Sequence, residues 1–97
     1  MNKRYTDEEK LNHLSKVLWD HPVTLQEALS ILKKERESVN GFTLTNLYIR
    51  IINGFNWHTV CKIIPEQQLH EALSDTVIQG LFPRSLREKY RNARQLL

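Results

Sequence analysis

At 97 residues the chain is the length of one domain, and its 40% hydrophobic and 26% charged residues exclude a disordered or collagen-like polymer. Three glycines and three prolines are too few for a fold of many tight strand turns, and a single cysteine excludes an internal disulfide, so the fold must rest on its core. No apolar run approaches the roughly 20 residues that span a bilayer, and the charged start Met1-Asn2-Lys3-Arg4-Tyr5 has no apolar signal core behind it, which predicts a soluble cytoplasmic chain.

Helical punctuation begins at once. Thr6 followed by Glu9 is a capping-box pattern, in which a hydroxyl and a carboxylate each satisfy an orphan backbone donor. Behind it Leu11, Leu14 and Leu18 fall on one face, broadened by Val17 and Trp19, which predicts a helix over 6–19. Asp20-His21-Pro22 stops it, because the residue before proline avoids the α region. Thr24 with Glu27 repeats the box, and Leu25, Ala28, Leu29 and Leu32 follow at amphipathic helical spacing. The sign-alternating run Lys33-Lys34-Glu35-Arg36-Glu37 reads as a solvated end of that helix. Asn40-Gly41 then supplies a left-handed terminator.

Leu44, Leu47, Tyr48, Ile51, Ile52 and Phe55 form the most apolar stripe. Ile49 adds a second face, which predicts a helix buried on more than one side; a strand over 48–52 is the alternative that β-branched residues leave open. Asn53-Gly54 ends this segment. Asn56 caps a short helix carrying Trp57, Val60, Cys61 and Ile64, closed by Pro65. Residues 66–74 give another short helix with Leu69, Ala72 and Leu73, and Ser74 or Asp75 restarts the chain into 76–82. Pro83 suits the first turn of a last helix at about 85–97. The whole is read as one all-α domain over 1–97, five or six short helices on one core. Its expected centre is Leu14, Leu18, Leu29, Leu32, Leu47, Ile51, Trp57, Ile64, Leu73 and Leu86.

Residues that could carry chemistry are few. His58 and Cys61 share a helix face, but zinc needs three or four ligands, and His13, His21 and His70 show no matching spacing. On that face the two groups point outward rather than at each other, so no nucleophile–base pair is built; Cys61, beside Trp57 and Ile64, reads as a buried structural thiol. No phosphate loop or nucleophile elbow occurs, and Asp7-Glu8-Glu9 fit the positive end of a helix. No enzyme, cofactor or metal is expected. A helix-turn-helix reader could be assembled from 56–64 and 67–74, yet the outer face of its second helix carries Glu66, Glu71 and Asp75, the wrong sign for a polyanion.

The last helix holds the charge. Residues 1–83 carry nine Lys/Arg against ten Asp/Glu, whereas 84–97 carry Arg84, Arg87, Lys89, Arg91 and Arg94 against Glu88 alone. On a helical wheel Leu86, Tyr90, Ala93 and Leu97 occupy a sector of about 60°, and the four arginines an adjoining sector of about 80°. An apolar stripe can dock while guanidinium forks face carboxylates or phosphates beside it. Arg84, Arg87, Tyr90, Arg91 and Arg94 are therefore the candidate binding residues. Internal pairing of the arginines with Asp7, Glu8, Glu9 or Asp20 is the competing reading.

Two stretches, His13-Leu14-Ser15-Lys16-Val17-Leu18-Trp19-Asp20 and Leu81-Phe82-Pro83-Arg84-Ser85-Leu86-Arg87-Glu88-Lys89-Tyr90, resemble small uncharacterised prokaryotic helical proteins. Some of those are encoded beside nucleotidyltransferase-type toxins of abortive-infection systems. The resemblance covers the two ends of the chain and implies an antitoxin-like or accessory role; it brings no catalytic or binding residues with it. The expected function is a non-catalytic protein-interaction module whose partner has an acidic surface, away from membranes. The alternative is a nucleic-acid-binding regulator that uses the basic C-terminal helix.

Overall fold

Thr6, Thr24 and Thr43 each open a helix by the same exchange: the hydroxyl accepts from the backbone N–H three residues on, and that residue's side chain accepts from the threonine N–H. They start α1 (Asp7–Val17), α2 (Leu25–Leu32) and α3 (Leu44–Gly54) in a computed structural model that describes residues 5–20 and 23–96. The third box uses Asn46 where the first two use glutamate. The reading of residues 1–4 as no signal core, the stop at His21-Pro22 and the place of Leu97 lie outside the described residues.

Between α2 and α3 the chain departs from expectation. The helix that the charge run was read to extend stops at Leu32, and Lys34 turns left-handed at φ 64°. Ser38–Val39 (β1) and Phe42–Thr43 (β2) then pair antiparallel, Ser38 with Thr43 and Val39 with Phe42. Asn40 and Gly41, at φ 51° and 83°, are the two residues of the hairpin turn, the sign pattern of a type I′ turn that Asn-Gly favours. Val39 and Phe42 are both buried, and that burial holds the hairpin against the helical bundle.

The remaining elements are α4 (Trp57–Ile63), a 3-10 turn (Glu66–Gln68), α5 (Leu69–Ala72), α6 (Asp75–Gln79) and α7 (Arg84–Arg94). The protein is mainly all-α, a single globule with a radius of gyration of 12.6 Å, close to the roughly 13 Å of a compact chain this long. At its centre is α3, which packs against α1, α2, α4, α6 and the hairpin. Leu47, Tyr48, Ile51 and Ile52 are all buried. Of the residues expected at the centre, only Trp57 and Leu86 are part-buried at its rim rather than inside it. Among the described residues no helix is long and apolar enough to cross a membrane.

Candidate functional site

The predicted arginine stripe on α7 is divided by the fold. Tyr90 is 1% exposed, its ring centroid 5.7 Å from that of Trp57, and burial pushes its phenol above the usual range with Cys61 nearby. It fastens the helix to the body. Arg87 Nε donates to the Leu81 carbonyl at 2.7 Å. Arg94 Nη1 donates to the Leu73 carbonyl at 3.3 Å and to Asp75 Oδ1 at 2.8 Å. Leu73 is the C-cap of α5, so this guanidinium satisfies an orphan carbonyl at a helix end. The same arginine, with Arg91 behind it, holds the Asp75 carboxyl below the usual carboxylate range.

Arg84 and Arg91 are different. Both are exposed, and neither side chain makes a hydrogen bond or an ion pair among the described residues, although Arg91 acts on Asp75 through space. Seven positions apart, they lie two turns from each other on the outer face of α7. Lys89, also exposed, has its Nζ 5.9 Å from the Tyr90 ring centroid. The acids expected as internal partners are engaged elsewhere or solvated: Asp7 with Lys33, Asp20 with Arg50, Glu9 on the Thr6 N–H, and Glu8 exposed.

Two aromatic residues were not among the predicted site residues. Trp19 was expected to broaden the buried face of the first helix, but α1 ends at Val17 and leaves Trp19 in the following turn, 82% exposed. Phe82, immediately before α7, is 78% exposed. Surface exposure of large aromatics has no sequence signal of its own, since the same residues fill cores.

A hollow of about 450 Å³ opens between α2, α3 and α5 beside Lys34, Thr43, Leu44, Tyr48 and Glu71. Within it the Tyr48 hydroxyl is 2.6 Å from Gln68 Oε1 and 2.7 Å from Glu71 Oε2. Gln68 Nε2 donates to the Leu32 carbonyl at 3.0 Å, which fixes its oxygen toward the phenol. Lys34 Nζ donates to the other Glu71 oxygen at 3.1 Å. The hydroxyl can donate to one acceptor at a time, and together these groups tie the end of α2 to α3 and α5. Burial and the Glu71 carboxylate push the phenol well above its ordinary range. The Tyr48 hydrogen bond, reinforced by Lys34, draws Glu71 down against the effect of its own partial burial.

His58 is exposed and Cys61 part-buried, so the thiol lies at the edge of the core rather than within it. Among the described residues no three His, Cys, Asp or Glu are grouped to hold a metal ion. The second helix of the helix-turn-helix candidate reduces to the four residues of α5, about 6 Å long and too short to lie along a groove. Comparison with protein-family models, curated proteins and solved structures finds no match to this chain.

Proposed function

We propose that this chain is a non-catalytic protein-interaction module, antitoxin-like or accessory to a toxin enzyme, that uses the outer face of α7 to hold an acidic protein surface. The observation that supports it is the division of labour along α7. Arg87, Tyr90 and Arg94 fasten the helix internally, while the Arg84 and Arg91 side chains stand exposed with no hydrogen bond or ion pair among the described residues, Arg91 acting on Asp75 only at a distance. Guanidinium forks suit carboxylates, which they bind in bidentate fashion. Glu88, exposed between the two arginines in sequence, favours a partner of mixed charge over a uniform phosphate backbone.

The test is co-expression with the protein encoded beside this chain, with affinity measured for the native sequence and for Arg84→Glu/Arg91→Glu. Reversing both charges sets like against like across the contact, so affinity should fall about tenfold or more while the thermal midpoint holds. A complex indifferent to the double variant overturns the reading. Binding of a fluorescein-labelled DNA duplex with a steep linear fall of log affinity against log salt replaces it with the nucleic-acid alternative.

A further inference from the structure

The exposed aromatics Trp19 and Phe82 belong to loops tied to one face of α3. Arg50 Nη1 donates to the Val17 carbonyl at 3.2 Å and to Asp20 Oδ1 at 3.1 Å, holding the turn that contains Trp19. Asn53 Oδ1 accepts the Phe82 N–H at 3.1 Å. Arg50 and Asn53, three residues apart, are neighbours on the helix surface. Close packing reinforces both ties. A side chain at Gly54 would collide with Val17, and one at Gly80 with Ile49. The end of α1 therefore approaches α3 at Gly54, and the segment before Phe82 approaches it through Gly80, so the backbones of Trp19 and Phe82 are both held against that helix.

The polar groups on this side are mostly donors. Asn53 uses its oxygen on Phe82, and its side-chain amide protons meet no acceptor among the described residues. The Arg50 side chain is 39% exposed, and the Asp20 carboxylate is already neutralised by it. Lys16 and Arg84, three residues before Trp19 and two after Phe82, are exposed cations. Toward the N-terminal end of α3 the same face runs into a hollow of about 290 Å³ lined by Phe42, Asn46, Ile49 and Arg50.

We infer that Trp19 and Phe82, with Arg50 and Asn53 between their loops, form a docking groove for an acidic segment of a partner protein that carries two apolar side chains. The inference rests on the reading of α7 as a surface for an acidic protein. Two aromatics on fixed loops are preorganised anchors, which reduces the ordering cost of binding, and Trp is among the residue types that dominate interface hot spots. Charge selects the occupant: the exposed cations Lys16 and Arg84 flank the aromatics, Arg50 is balanced by Asp20, and the Asn53 amide asks for a carbonyl or carboxylate oxygen. Backbone carbonyls of a peptide suit the amide of Asn53.

The test selects binders from a random peptide display library with the full chain as bait, then measures their affinity for single variants. The expected consensus has two apolar residues among Asp and Glu. Affinity should fall tenfold or more in Trp19→Ala and in Phe82→Ala, each with an unchanged thermal midpoint. It should hold in Leu96→Ala, which removes a similarly exposed apolar side chain (88% exposed) just beyond the end of α7. Acidic binders that are lost only in Arg84→Glu/Arg91→Glu, and not in Trp19→Ala, overturn the groove and leave the α7 reading standing. Binders without acidic bias and indifferent to every variant overturn both. Co-sedimentation with phosphatidylserine-containing vesicles that is lost in Trp19→Ala replaces the peptide groove with a lipid contact.

Discussion

Tyr48 is the residue at which burial, hydrogen bonding and charge act together. It is 1% exposed, and both burial and Glu71 disfavour its phenolate. A tyrosine whose pKa is raised on folding adds stability that is complete below the unfolded value of about 10 and is lost as pH rises toward the folded one. Tyr48→Phe should therefore cost about 0.5–1.5 kcal/mol near neutrality and flatten the fall of the thermal midpoint above about pH 9. Melting curves across that range check it. A variant that parallels the native curve would assign the alkaline loss to Tyr90, whose phenol is also raised. Glu71 has the opposite sign: its pKa is lowered on folding, so its contribution is present above the ordinary carboxylate value of about 4 and is lost as pH falls further. Glu71→Gln should leave a shallower decline of the midpoint on the acid side. The side chain is 48% exposed, so the effect should be small.

At the scale of elements, α7 shows what a helical wheel can and cannot decide. The wheel correctly pairs an apolar side carrying Tyr90 with a basic side, because both follow from 3.6-residue periodicity. It cannot separate Arg94 from Arg91, because the Asp75 carboxylate and Leu73 carbonyl that hold Arg94 reach it only through the packing of α5 and α6. Arg94→Gln should thus destabilise by about 1 kcal/mol, while Arg84→Gln and Arg91→Gln stay within about 0.5 kcal/mol of native; denaturant titration separates these outcomes. Arg87→Glu should also cost stability, since it removes the donor to Leu81. The hairpin shows a second limit. A left-handed glycine serves a helix C-cap and a type I′ turn equally well, so Asn40-Gly41 is locally ambiguous until Val39 and Phe42 pair and bury. Gly41→Ala, forced to φ 83°, should cost about 1–2 kcal/mol in either setting. The capping boxes at Thr6 and Thr24 were legible because each is complete within four residues and ends in glutamate. The one at Thr43 was not, because asparagine closes it. The placing of the Trp19 and Phe82 loops against α3 depends on Arg50 and Asn53 reaching residues about thirty positions away, and no local pattern encodes that.

For the molecule as a whole the question is whether α7 melts with the core or before it. Its outer residues are charged and exposed, which alone describes a helix of marginal independent stability. Its inner side ties it to the body at three places: Tyr90 against Trp57, Arg87 on Leu81, and Arg94 on Leu73 and Asp75. The body is one cluster centred on α3, with Leu47 and Ile51 fully buried. A single core with that many ties to its last helix should unfold in one transition. Ile51→Ala, which removes buried volume at the centre, should cost roughly 2–5 kcal/mol of the roughly 5–15 that hold a small domain folded. It should lower the midpoint by about 4–8 °C for each kcal/mol lost. Far-ultraviolet circular dichroism reports all helices, whereas fluorescence of Trp57 reports its contact with Tyr90; Trp19, already in solvent, contributes little change. The two signals should fall together in the native protein, and together again, at lower temperature, in Ile51→Ala. Loss of the fluorescence signal ahead of the dichroism would mean that α7 leaves first. Arg84 and Arg91 would then be carried by a detachable arm, and the affinity of an acidic partner would include the cost of redocking that helix.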